Sequence, residues 1–333
     1  MSHVRSNVVT GLLGLACLAM PLWSTAQTKI AVGTAKDPNL AAQIAVASAR
    51  GMFKEAGADV EVKYFPSGGD LMTAVVGGSV VIGSSGATPT TTLRSRPYPI
   101  KIVSQIADIS GAQQIIVKQT LKGIDELYGK KIAIMRGTAS EALFNSFVQA
   151  YGFDASKVEL INMAPAEMLA SFARGSVDAI SVWEPNTTRA RKASGGKVLV
   201  TGTRSNIPGK EGARRIYGDH AVLFTTETFL KEQPQAVRTV LRALVKADQF
   251  IRSNKQETTA ILSKEFGLEP ADMADVMESN KYTLELDDEL VRDLDGVASF
   301  LFGLKRIQSE PKAREWIDAA PLREVQPSLV RLK

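Results

Sequence analysis

A fourteen-residue pattern occurs twice in this chain, about a hundred residues apart, and it restricts the fold more than any other feature. Residues 71–84, LMTAVVGGSVVIGS, lie over residues 168–181, MLASFARGSVDAIS, without a gap and with Gly-Ser-Val in register. In each copy an apolar helical stripe runs into a glycine stop and then into a short buried strand. Repeated units of this kind imply two similar α/β halves that face each other across a cleft.

The first copy has informative surroundings. Ser67-Gly68-Gly69-Asp70 reads as a strand end entering a helix N-terminus, with Leu71, Met72, Val75 and Val76 as the apolar face. Val80-Val81-Ile82 is a minimal strand, and residues 83–89, GSSGATP, form a second loop that opens another helix, with Thr88 as N-cap and Pro89 in the first turn. Two helix N-termini then lie close together, and their free N–H groups suit an anion or an oxygen-rich polar group. Taken singly, either loop could equally be a turn built by Gly and Ser. In the second copy the strand runs on into Val182-Trp183-Glu184-Pro185, so an aromatic and a carboxylate replace serine and glycine.

With 333 residues, 44% of them hydrophobic and 23% charged, two globular domains are expected. Residues 1–26 read as a cleavable export signal: Arg5 starts it, an apolar run follows, and Ser24-Thr25-Ala26 precedes the cut. That run is too short for a membrane span. Cys17, the only cysteine, falls inside it, so a lipid anchor is the weaker reading and the mature chain has no disulfide. The formal charge of +5 is mild. Basic residues cluster between Arg189 and Arg215, which reads as a solvated face or as steering of anions. No aromatic ladder accompanies them, so nucleic acid is not expected as a partner.

Along the chain, strands are expected at residues 29–33, 60–65, 100–106, 113–118, 131–135, 158–162, 198–200 and 220–225. Helices are expected at residues 39–55, 141–151, 235–251, 258–266, 273–278 and 290–304, with a helical turn in 121–130. The alternation predicts mostly parallel sheets with ligands at the carboxyl ends of the strands. Residues 136–141, RGTASE, leave one such end: Thr138 and Glu141 have capping-box spacing, yet the loop also offers N–H groups and hydroxyls to a ligand.

Catalytic signals are few. His220 is the only histidine after the leader, which leaves no His/Cys metal cluster. Gly83-Ser84-Ser85-Gly86 has the wrong spacing for a nucleophile elbow, and there is no phosphate-binding P-loop.

The SGGDLMTAVVGGSVVIGSSGATP block, the turn from Gly123 to Lys131, the GTASE helix start and the VDAISVWEP segment together resemble the periplasmic solute-binding proteins of ABC transporters for nitrate, sulfonate and taurine, a family that also includes pyrimidine-precursor binders. One departure is Val81, where such proteins commonly carry Asp after Gly-Ser-Val; Asp178 keeps it in the second copy. The resemblance implies an α/β, two-lobed periplasmic-binding-protein fold of type II. Each lobe would be a mostly parallel sheet flanked by helices, joined by two crossover hinge strands near residues 110–114 and 219–222. Lobe 1 would comprise residues 27–110 plus 222–333, and lobe 2 residues 111–221.

By the same resemblance the ligand-binding residues would be Thr34, Ser67, Gly68, Ser85, Gly86, Thr88, Gln113, Gly137, Thr138, Ser140, Trp183 and Glu184. Trp183 would wall the ligand's apolar part; Glu184 would meet an amine or hydroxyl, or else pair with Arg189 or Arg191. The implied partners are a small-molecule solute, here an aliphatic sulfonate or taurine-like anion, and an ABC permease with its ATPase subunits. A monomer without cofactor, metal or catalysis is expected. Other readings are a sensory solute receptor, a binder of nitrate or of a pyrimidine or thiamine precursor, and an enzyme on this scaffold, which would need a Cys/His-rich segment.

Overall fold

The structure, a computed structural model, describes residue 1 and residues 29–333. Apart from Met1, the expected export signal and Cys17 lie outside the described residues.

Strand β1 (Ile30–Ala35) enters α1 (Pro38–Ala49), whose first turn is fixed by Asp37 accepting the Asn39 N–H at 2.8 Å and by Pro38 at the first helical position. The single helix expected over residues 39–55 is in fact two. Gly51, in left-handed backbone, breaks it before the one-turn α2 (Met52–Glu55). Next come β2 (Val60–Phe65), α3 (Gly68–Val76), β3 (Ile82–Gly86), α4 (Ala87–Arg94) and β4 (Ile100–Asp108).

The β3–α4 stretch departs from expectation. Gly83 to Gly86 are strand residues, not a loop, and α4 is capped by Gly86, with Thr88 already inside the helix. The cause is a distant segment: β3 pairs antiparallel with residues 221–225, and a Cβ on Gly83 would lie 2.4 Å from the Phe224 ring. Glycine here permits close packing rather than a turn.

The second half repeats the plan. After β5 (Gln113–Val117) and a 3-10 turn at Ile124–Leu127 come β6 (Lys131–Ile134), α5 (Ala139–Tyr151), β7 (Glu159–Asn162), α6 (Pro165–Ala173), β8 (Ala179–Trp183) and α7 (Asn186–Ser194). Strands β9 (Lys197–Thr201), β10 (Arg204–Ser205) and β11 (Gly212–Ala213) close this half, and β12 (His220–Thr226) returns to the first. The two copies end their helices alike. Gly78 and Gly175 have φ of 74° and 75°, and Ser79 and Ser176 each donate to the carbonyl five residues back, Ala74 and Ser171. Val80 and Val177 follow, both fully buried.

Including β13 (Lys281–Tyr282), the strand orders are β13-β4-β12-β3-β1-β2 and β11-β10-β9-β5-β8-β6-β7. In both sheets a parallel trio (β2, β1, β3; β7, β6, β8) adjoins a strand running the other way, β12 or β5. The sheets are therefore mixed, with a smaller parallel share than the alternation predicts, because the chain passes between halves twice and each passage reverses it. The two passages touch: Ile109 N–H donates to the Asp219 carbonyl at 2.9 Å, and Asp219 N–H donates to Ser110 Oγ at 2.9 Å.

Strand periodicity sorts the second half's core. Ile115 and Val117 of β5 face one apolar layer while Ile116 faces the other, as do Ile132 and Ile134 against Ala133 on β6. The first sheet is backed by α8 (Glu227–Glu232), α9 (Pro234–Ser253), α10 (Lys255–Phe266), α11 (Pro270–Glu278) and α12 (Asp288–Gly303). On α9, Val237, Val240, Leu241 and Leu244 are buried at helical spacing, each contributing about 1.5–3 kcal/mol relative to exposure.

Candidate functional site

A cavity of about 890 Å³ lies between the halves. Its lining comes from the carboxyl ends of strands: Ala35 of β1, Ser67 after β2, Ser85 and Gly86 of β3, Met135 and Gly137 after β6, and Trp183 of β8. The two passages add Ile109, Gln113 and Asp219. This is where an open α/β sheet presents its helix N-termini.

Of the twelve residues expected to bind a ligand, nine line this cavity: Ser67, Gly68, Ser85, Gly86, Thr88, Gln113, Gly137, Thr138 and Trp183. Gly68 brings α3 against α4, since a Cβ there would sit 3.1 Å from Ser85 Oγ and 3.0 Å from Pro89 Cγ. Thr34, Ser140 and Glu184 are not in the lining. The Thr34 hydroxyl, buried, donates to the Ala35 carbonyl at 3.3 Å. Ser140 Oγ accepts the Met135 N–H at 2.8 Å and donates to the Ser181 carbonyl at 2.5 Å, which ties α5 to β6 and β8. Both serve local architecture.

Glu184 is fully buried, and its carboxylate accepts the Thr188 N–H at 3.1 Å, the Thr188 hydroxyl at 3.0 Å and a Gln114 Nε2–H at 3.4 Å. Arg191 stands 3.9 Å away. Glu184 therefore caps α7 and engages its own half of the molecule. Only its main chain reaches across the cleft, where its carbonyl accepts from Asn39 Nδ2 at 2.8 Å.

The facing helix N-termini are not alike. Ser67 Oγ accepts the Asp70 N–H and donates to the Asp70 carboxylate, closing α3 upon itself. At α5, Thr138 Oγ1 accepts the Ser140 N–H, while Glu141 reaches back to the Gly137 N–H at 2.7 Å, one residue before the capping-box position. No side chain caps α4. In the cavity wall two buried polar atoms lack any partner among the described residues, Ser85 Oγ, just before α4, and Gln113 Oε1 of β5. An unmet buried hydroxyl or amide is costly, so such atoms in a cavity wall mark where a bound molecule supplies the missing bond.

Two lining carboxylates were not expected from the sequence. Burial pushes Asp219 up to about 7, against the pull of His220 and its N–H, which Asp219 accepts at 3.0 Å; burial likewise raises Asp37 to about 6. Behind Asp219, burial alone would raise Asp108 and Asp293. Instead His220, Arg215 and, for Asp108, the Ser110 hydroxyl hold both below the ordinary range. Asp37 follows the strand expected at residues 29–33 and Asp219 lies in the expected crossover at residues 219–222, but the burial of their carboxylates is set by the crossing of distant segments. Among the described residues no group of three His, Cys, Asp or Glu could hold a metal ion.

A family model described as NMT1/THI5 like matches residues 38–258. The chain belongs to the NMT1/THI5-like family. Among relatives of this family member, the taurine-binding periplasmic protein of Escherichia coli K12 is 26% identical over 260 residues, covering 74% of this chain and 78% of that one. Among solved structures, the periplasmic aliphatic sulphonate binding protein SsuA of Escherichia coli superposes with a TM-score of 0.74 at 20% identity, covering 87% of this chain and 97% of that one. The desulfurization enzyme DSZB shares the fold as well, with a TM-score of 0.68 at 15% identity over 90% of this chain and 99% of that one. The fold of this family member is thus compatible with binding and with catalysis.

Proposed function

We propose that this chain is the periplasmic solute-binding component of an ABC importer and captures a small organic anion of the aliphatic sulfonate or taurine class. The observation that carries the reading is the unpartnered buried Ser85 Oγ beside the uncapped N-terminus of α4, with a second such atom, Gln113 Oε1, in the wall of the same cavity between the two halves. A ligand oxyanion would accept from the Ser85 hydroxyl and the first N–H groups of α4, and a ligand hydroxyl or amine would donate to Gln113 Oε1. Residues 27–110 with 222–333, and residues 111–221, would act as lobes that close about the passages at residues 110–114 and 219–222. The closed monomer would be what a permease and its ATPase subunits recognise. Export of the chain by residues 1–26 would accord with this placement.

One observation separates an ammonium-bearing ligand such as taurine from a simple sulfonate. Asp37 and Asp219 face the cavity and neither has a cationic partner within salt-bridge distance among the described residues. The two alternatives respond oppositely to pH. A simple anion prefers Asp219 protonated, so its affinity falls as pH rises through about 7; a zwitterion gains over the same range.

A thermal-shift panel of sulfonates, taurine, nitrate, carboxylates and aminopyrimidines tests the proposal. At 100 times its dissociation constant the true class should add about 2.7 kcal/mol of stability. A panel in which no anion shifts the transition overturns it.

A further inference from the structure

The cavity is larger than a two-carbon anion needs, and its lining runs along the length of two neighbouring helices. Between α3 and α4 it extends as a trough walled by Met72, Val76, Pro89 and Leu93, with Arg96 at the far end. Two threonines, Thr73 and Thr92, also line it, but their hydroxyls donate back to the Gly69 and Thr88 carbonyls at 3.1 and 2.9 Å. Their donors are thereby spent within the helices. Val76 is 56% exposed, one of few large apolar side chains so placed among the described residues, and it sits on this wall rather than on an outer face. Arg96 makes no ion pair among the described residues, so its stem can lie along apolar material while its head stays in water. The orphaned Ser85 hydroxyl thus stands at the N-terminal end of α4, and the wall that leads from it along α3 and α4 is largely apolar.

Resting on the anion-receptor reading above, we propose that the preferred ligand is an amphipathic anion whose apolar body lies in the α3–α4 trough, its charged head against Ser85 and the α4 N-terminus. Helix α4 spans about 10 Å from Ala87 to Arg94. A trough of that length accepts a body of roughly six to eight carbons, well beyond that of taurine. Each methylene buried there tightens binding about fourfold.

The test is a calorimetric titration of the full chain with straight-chain 1-alkanesulfonates of one to eight carbons, with taurine and 1-octanol as controls. Affinity is expected to climb with chain length to about the sixth to eighth carbon. Val76→Asp places a carboxylate in the trough at an exposed position, and it is expected to lower the ratio of octanesulfonate to ethanesulfonate affinity at least tenfold. A series that is flat, or tightest at one or two carbons, overturns the trough assignment and leaves the receptor reading intact. Octanol binding as tightly as octanesulfonate overturns the anionic head, and with it both readings. An unchanged affinity ratio in Val76→Asp overturns the placement of the body.

Discussion

The β3–α4 and β8–α7 junctions occupy equivalent places in two sheets of the same strand order, yet they differ electrostatically. At β8–α7 the chain supplies its own anion: Glu184 caps the helix and holds the Thr188 N–H and hydroxyl. At β3–α4 the aligned position is Ala87, no side chain caps the helix, and Ser85 Oγ is left unbonded. The duplicated architecture therefore builds two potential anion sites and fills one with a side chain. Asymmetry between the halves, not the repeat itself, gives the cleft a direction.

The largest expected effect comes from erasing that asymmetry. Ala87→Glu copies the Glu184 arrangement onto α4 and should weaken anion binding by about a hundredfold or more, read by calorimetry, while circular dichroism reports the retained fold. Retained affinity would mean that α4 is not where the anion lies.

The next effect contrasts two buried carboxylates. Glu184 is held by three donors, whereas Asp219 accepts only the His220 N–H. Because burial raises Asp219 from 3.8 to about 7, the folded state binds its proton more tightly than the unfolded state does. Its contribution to stability is fully present below about pH 3.8 and is lost as pH rises through 7, by up to about 1.4 kcal/mol per unit in that window. Asp219→Asn should flatten this decline, so chemical denaturation at pH 5 and pH 8 should show a smaller difference in the variant than in the parent.

Ser85→Ala removes a hydroxyl that has no partner among the described residues. Affinity should fall about tenfold with the free protein's melting temperature unchanged or higher, a split that a structural hydroxyl would not give. Glu184→Gln is the complementary case. It should cost about 1 kcal/mol of stability by weakening the α7 cap, with affinity nearly unchanged. The smallest signal is optical: Trp183 lines the cavity, and Trp316 is buried in the first half's core, so Trp183→Phe should abolish most of the ligand-induced fluorescence change.

Much of this architecture was legible in the chain. The repeat identified two equivalent helix, turn, strand units, and their glycine stops and buried valines match in detail. The strand at Val60–Phe65 and the long helix at Pro234–Ser253 followed from local periodicity. Gly83 to Gly86 misled, because glycine and serine suit both turns and tight strand packing, and only Phe224, far along the sequence, selects the second. Within the site, the family resemblance pointed to nine residues that line the cavity, but it named none of Lys36, Asp37, Arg96 and Asp219. Glu184 shows the same limit from the other side, since a carboxylate beside a tryptophan at a strand end reads as a ligand contact until its partners are seen.

The amino-acid order by itself determined the duplicated α/β units, the places where helices start and stop, and the grouping of polar loops at strand ends, because these depend on backbone preference and on apolar spacing over a few residues. Tertiary structure alone decided that the α4 end stands open beside an unbonded serine, which carboxylates are buried and how far the cavity runs between α3 and α4. Those properties arise from segments a hundred or more residues apart brought within hydrogen-bonding distance, and no local pattern encodes such a meeting.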